Sequence, residues 1–130
     1  QHSQSLYPIF THIPGLKVVI PSSAYDVKGL LIQAIRDDDP VIFFEHRAMY
    51  DDEDEVPDAP YTIPFGEANL VREGGDATII AIGRMVTFAK KAAELVFEPF
   101  DEVGIAQRAA RAFVTSQSCQ LRLLHVECKI

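Results

Sequence analysis

The stretch LKVVIPSSAYDVKGLLIQAIRDDDPVIFFE, residues 16–45, decides the fold. Its opening, Leu16-Lys17-Val18-Val19-Ile20, is a short, mostly apolar run ended by Pro21, the pattern of a buried strand. Ser23 with Asp26 three residues on makes a capping-box pattern. Behind it Val27, Leu30, Leu31, Ala34 and Ile35 recur at helical spacing. Gly29 weakens such a helix by about 1 kcal/mol relative to Ala, a loss that close packing would explain. Arg36 stands near the C-terminal end, where a cation suits the helix dipole, and Asp37-Asp38-Asp39-Pro40 ends the helix. Val41-Ile42-Phe43-Phe44-Glu45 is a second buried-strand run. Strand, helix and strand with tight joints are the signature of a βαβ unit. The expected class is therefore α/β with a parallel sheet.

Outward from this unit the signals change. Upstream, residues 6–13 read as a short helix, which Pro8 permits only near its start, and Pro14-Gly15 marks a turn. Downstream, Asp51-Asp52-Glu53-Asp54-Glu55 is a block of like charge, and Pro57, Pro60 and Pro64 interrupt the stretch after it. Residues 47–64 have no periodicity. They read as a solvated acidic linker or, alternatively, as an acidic metal-binding loop, although no Gly sits where a calcium loop needs its turn. Residues 68–72 read as a short strand, Gly74-Gly75 as a turn, and residues 77–82 as the strongest strand of the chain. Gly83 leads into a helix over 84–96, with Met85, Ala89, Ala92 and Val96 on one face and Lys90, Lys91 and Glu94 exposed. The strands at 16–20, 41–45 and 77–82 are expected to be parallel. Residues 105–113 suggest a further amphipathic helix and 121–126 a further strand.

Composition narrows the function. The chain has 130 residues, 48% of them hydrophobic and 24% charged, enough for a core without disulfide staples. Twelve Lys and Arg stand against 19 Asp and Glu, a net charge of −7. That charge argues against nucleic-acid binding and against docking on anionic lipid, both of which need a positive field. No apolar run approaches the roughly 18 residues of a membrane span. Gln1-His2-Ser3-Gln4-Ser5 has neither a signal-peptide pattern nor an initiator Met, so this start reads as a cut inside a longer protein. Cys119 and Cys128 form neither a zinc motif nor a disulfide framework, which suggests a reduced, cytoplasmic protein.

Several stretches in order carry a resemblance: Gln1-His2-Ser3-Gln4-Ser5-Leu6, His12-Ile13-Pro14-Gly15-Leu16-Lys17-Val18-Val19 with Pro21, Asp26-Val27-Lys28-Gly29-Leu30-Leu31, Ala34-Ile35-Arg36-Asp37-Asp38-Asp39-Pro40, and Glu45. With residues 61–66 and 74–86, they resemble the beta subunit of thiamine-diphosphate-dependent 2-oxoacid dehydrogenases of the pyruvate, acetoin and branched-chain types. The similarity runs from Gln1 to about Val96. It implies a transketolase-like architecture: residues 1–46 as part of a pyrimidine-binding-like domain, 47–75 as an acidic, proline-containing linker with a short strand, 76–96 as the start of a transketolase C-terminal-like domain, and 97–130 as a divergent tail.

The resemblance implies a function for the complete enzyme: oxidative decarboxylation of a 2-oxoacid with acyl transfer to lipoamide. Its cofactors would be thiamine diphosphate and magnesium, with potassium in some members. Its partners would be an alpha subunit, which holds the diphosphate through magnesium, and a lipoyl-bearing acyltransferase. The family's glutamate at the aminopyrimidine ring lies upstream of the resembled part, so no cofactor-binding residue is assigned here, and the chain alone is expected to be inactive. His2 matches the histidine implicated in proton transfer or lipoyl approach, a role suited to an imidazole; the alternative is a mobile, solvated side chain. By position, Ala34, Asp37 and Asp39 match the potassium ligands, mainly through backbone carbonyls; the alternative is a capped helix end with solvated carboxylates. His12, His46 and His125 share no ligand spacing and read as structural or exposed. Ser3 and Ser5 suit an N-cap better than a nucleophile, since no Gly-x-Ser-x-Gly elbow is present. The other functional class is a noncatalytic, oligomeric interaction protein derived from that family. In either case a homo-oligomer is expected, most simply a dimer, with apolar faces and the edge near Leu16 seeking cover.

Overall fold

A computed structural model describes residues 4–73, 77–97 and 124–128. The decisive stretch folds as its pattern requires. Strand β1 (Lys17–Val19) leads through Ser23 into helix α2 (Ala24–Arg36) and on to β2 (Val41–Phe43), preceded by a short helix α1 (Tyr7–Thr11). β1 and β2 pair in parallel, Lys17 opposite Val41 and Val19 opposite Phe43. Phe44 extends the ladder by donating its N–H to the Val19 carbonyl at 2.9 Å.

Helix α2 begins where the capping pattern places it. The Ser23 hydroxyl accepts from the Asp26 backbone N–H at 3.1 Å. The Asp26 carboxylate is buried and accepts from the hydroxyl (2.5 Å) and backbone N–H (3.3 Å) of Ser22. It therefore reaches one residue further back than an ideal capping box, in which it would receive the cap residue's own N–H. The N-cap of α1 is Leu6, without a side-chain cap, so Ser5 does not cap this helix; Ser3 lies outside the described residues. Tyr7 and Phe10 instead anchor α1 by packing their rings on Phe44, with centroids 5.0 and 5.5 Å away.

The stretch expected to be a free linker is free only in part. Residues 51–55 are exposed, but the strap after them crosses α2 and is bound to it. Ile63 is buried and packs with Val19 and Leu30 in the first core. Its N–H donates to the Gly29 carbonyl at 3.2 Å. The Tyr61 hydroxyl donates to the Tyr25 carbonyl at 2.8 Å while the two rings stack at 4.5 Å. The Lys28 ammonium binds the carbonyls of Pro57 and Asp58. Gly29 makes the crossing possible: a Cβ there would lie 2.6 Å from Ile63 Cδ1 and 2.7 Å from Tyr61 Cε2.

Beyond the strap come β3 (Asn69–Arg72), β4 (Ala77–Ala81), helix α3 (Met85–Phe97) and β5 (Leu124–Cys128). They form a second sheet in the order β3-β5-β4. β5 runs parallel to β3 but antiparallel to β4, with Ala77 opposite Cys128 and Ala81 opposite Leu124. The expectation of a parallel strand at 77–82 is therefore corrected. A strand–helix–strand order gives parallel pairing only when the returning strand enters at the same end, and Leu124 enters beside Ala81, the far end of β4. The apolar face of α3 is also turned from its expected position: Val86, Ala89 and Ala93 are buried against Ala81, whereas Met85 is 59% exposed. Gly83, at φ +53°, brings this β4–α3 turn against β1, since a Cβ there would lie 3.1 Å from Ile20 Cγ2. The further helix expected at 105–113 lies outside the described residues.

Candidate functional site

In an open parallel sheet, ligands bind in the crevice beyond the carboxyl ends of the strands. Here β1 leads into Ile20-Pro21 and β2 into Phe44-Glu45-His46, and two clefts open at that edge. One, of about 310 Å³, lies between the start of α2 and the turn after β2, with Pro21, Ala24, Val27 and Met49 as its apolar lining and Lys28, Glu45 and Asp52 as its charged groups. The other, of about 550 Å³, lies between the segment Gln4–Tyr7 and the same turn. Glu45, His46 and Tyr50 line both. They form a wall between the clefts.

The wall is built by a short 3₁₀ turn, Arg47–Met49. His46 starts it: its Nδ1 accepts the Ala48 backbone N–H at 3.2 Å. Because a backbone N–H can only donate, neutral His46 carries its own proton on Nε2. The Tyr50 hydroxyl donates to Glu45 Oε2 at 3.2 Å and ties the far side of the turn back to the strand end. His46 is thus structural, as its sequence context suggested, and also lines the clefts. Its signal in the sequence is its place directly after an apolar parallel strand.

His2 lies outside the described residues. Ala34, Asp37 and Asp39 do come together, at the C-terminus of α2. The Asp37 N–H donates to the Ala34 carbonyl at 3.4 Å, and the Asp37 Oδ1 accepts the Asp39 N–H at 2.9 Å. The side chains are engaged by a residue the sequence reading did not include. Lys17 Nζ lies 2.6 and 2.8 Å from the two Asp37 carboxylate oxygens and 2.8 Å from Asp39 Oδ2. Hydrogen bonds to Asp37 and Asp39 raise the Lys17 pKa above its ordinary 10.5. The hydrogen bond from Lys17, then that from the Asp39 backbone, lowers the Asp37 pKa below its ordinary 3.8. Any further cation at this helix end would have to rest on backbone carbonyls.

Residues 1–52 match the transketolase pyrimidine binding domain. The particular relatives are more specific. The beta subunit of acetoin:2,6-dichlorophenolindophenol oxidoreductase from Cupriavidus necator is 66% identical over 93 residues, 72% of this chain and 28% of that protein. The 2-oxoisovalerate dehydrogenase subunit beta of Bacillus subtilis is 53% identical over 94 residues, 72% of this chain and 29% of that protein. The pyruvate dehydrogenase E1 component subunit beta of Staphylococcus aureus is 51% identical, with the same coverage of both chains. Over about 72% of its length the chain is thus similar to beta subunits of acetoin, branched-chain 2-oxoacid and pyruvate dehydrogenases. It spans 28–29% of the length of these relatives.

Thiamine diphosphate, the cofactor that the similarity implies, would need a metal-bridged grip on its diphosphate. Among the described residues no three His, Cys, Asp or Glu side chains gather to hold a metal. The first cleft offers the carboxylates Glu45 and Asp52, which repel a diphosphate, and its ammonium, Lys28, is bound to the strap carbonyls. The first cleft as lined does not fit the diphosphate, and the second sets the Arg47 guanidinium beside Glu45.

Proposed function

We propose that this chain is part of the beta component of a thiamine-diphosphate-dependent 2-oxoacid or acetoin dehydrogenase. In the complete enzyme such a component takes part in oxidative cleavage of the substrate and acyl transfer to lipoamide on an acyltransferase. The observation that carries this reading is the 66% identity over 72% of the chain to an acetoin-oxidising beta subunit. In this reading residues 76–96 open a transketolase C-terminal-like domain, and His2 serves in proton transfer or in the approach of the lipoyl group. An alpha subunit supplies magnesium and the diphosphate site. Potassium, where used, rests on the carbonyls of Ala34, Asp37 and Asp39, with Lys17 holding the carboxylates aside.

In this reading the 130-residue polypeptide alone is inactive and depends on the alpha subunit for the diphosphate site. It self-associates, most simply as a dimer. Ile9 is 61% exposed, and Ile35 and Leu95 are each 76% exposed, which leaves apolar side chains on all three helices for another chain to cover. Val18, Val19 and Ile20 are themselves buried, so the helices rather than the β1 side chains offer that surface. The second reading, a noncatalytic interaction protein, draws on the same exposed residues.

Calorimetric titration of thiamine diphosphate with magnesium separates the two. The expected result is no binding to the polypeptide alone and binding once the alpha subunit of the Cupriavidus necator enzyme is added beyond what that subunit shows by itself. Binding by the polypeptide alone would overturn the division of labour between the subunits. No added binding in the mixture would favour the noncatalytic reading.

A further inference from the structure

We propose that His46 is a pH-sensitive latch for the wall between the two clefts. The geometry fixes what the latch can tolerate. Nδ1 of His46 accepts the Ala48 N–H at 3.2 Å, and this bond starts the turn Arg47–Met49. Protonation at Nδ1 removes the acceptor lone pair and sets one N–H against another. An imidazolium cannot make this bond. The ring must then rotate away, and the Ala48 N–H is left to water.

The consequence reaches both clefts because the turn contributes to each. Met49 and Tyr50 line the smaller cleft, and Arg47, Ala48 and Tyr50 the larger. The hydrogen bond from Tyr50 to Glu45 is the turn's second side-chain tie, and backbone bonds from Met49 N–H to the His46 carbonyl (2.9 Å) and from Tyr50 N–H to the Arg47 carbonyl (3.3 Å) hold its core, so loss of the His46 side-chain bond loosens the turn at Ala48. Charged groups of both signs line the clefts beside His46. They are Glu45 at the strand end, Asp52 beyond the turn, Lys28 from α2 and Arg47 from the turn itself. Tyr7, from α1, and Tyr50 are the remaining titratable groups lining these clefts. Protonation changes the hydrogen-bonding sense of the latch, from acceptor to donor at Nδ1.

Nuclear magnetic resonance on the full 130-residue chain tests this directly. The ring nitrogens of His46 and the amide of Ala48 are followed from about pH 8 to about pH 5, the range in which imidazoles change charge. At the upper end the expected tautomer carries its proton on Nε2, and the Ala48 amide is protected from hydrogen exchange. On acidification both signals are expected to move with one midpoint, and the Ala48 protection is lost. His46→Asn, whose side-chain oxygen accepts at either pH, is expected to keep the Ala48 amide protected throughout. An Nδ1–H tautomer at high pH, or an Ala48 amide unchanged while His46 titrates, would overturn the proposal. Both outcomes are read on the unsubstituted chain, so a misfolded variant does not shield the proposal.

Discussion

Replacing Gly29 by Ala probes the contact that binds the strap to the βαβ unit. In an open helix this substitution would stabilise by about 1 kcal/mol. Here the new Cβ would lie 2.6 Å from both Ile63 Cδ1 and Cγ1 and 2.7 Å from Tyr61 Cε2, well inside contact distance. Ile63 cannot simply turn away, because it is buried and its N–H is bonded to the Gly29 carbonyl. Overpacking of this kind typically costs about 1–3 kcal/mol. If the strap lifts, the bonds from Ile63 N–H to Gly29 and from the Tyr61 hydroxyl to Tyr25 each forfeit about 1 kcal/mol. The expected net effect of Gly29→Ala is a destabilisation of about 2–3 kcal/mol, the helix gain being outweighed. Urea denaturation monitored by far-ultraviolet circular dichroism reads this as a midpoint lowered by about 1 M, given typical slopes. In an Ile63→Ala background two of the three close contacts are gone, so the same substitution should lose less. A Gly29→Ala protein as stable as its parent would refute the crossing geometry.

Two further outcomes concern the same region. Ser23→Ala removes the hydroxyl that accepts the Asp26 N–H and should destabilise by about 1 kcal/mol in the same denaturation assay, with Ser23→Asp restoring most of the loss. The Lys17–Asp37 pair should give stability a two-sided pH dependence, measured as melting temperature against pH. Because the folded Asp37 pKa is lowered, its contribution is present above the ordinary value of 3.8 and is lost as pH falls through the depressed value. Because the folded Lys17 pKa is raised, its contribution is present below 10.5 and is lost as pH rises through the elevated value. Lys17→Met should flatten both limbs; unchanged limbs in that variant would show that the pair does not set them.

The legible part of the fold came from local signals. Residues 16–45 carry strand-length apolar runs, a Ser cap and a helical period that agree with one another, and the βαβ unit formed with ends within two residues of expectation. Gly29 stood out as a helix weakness, but nothing near it in sequence showed that Tyr61 and Ile63, more than 30 positions on, fill the space. The direction of β4 was likewise hidden, because it depends on which end β5 enters from, a fact of long-range pairing. The face of α3 was misread because Met85 satisfies the helical period as well as Val86 does. At the C-terminus of α2, Asp37 and Asp39 were singled out only through the family resemblance, whereas Lys17 was read only as part of a strand, although its side chain is the one that joins them. His46 carried no ligand spacing. Its importance lies in the end of β2 that it occupies.

The most direct test of the relationship to dehydrogenase beta subunits is an exchange. The aligned stretch of this chain replaces the 93 matching residues of the Cupriavidus necator beta subunit, and the chimera is purified with that enzyme's alpha subunit. Acetoin-dependent, thiamine-dependent reduction of 2,6-dichlorophenolindophenol is then measured. Shared function in this stretch predicts turnover within about tenfold of the parent, a barrier change of no more than about 1.4 kcal/mol. A chimera that assembles with the alpha subunit and keeps the parent's circular dichroism, yet shows no turnover, would contradict it.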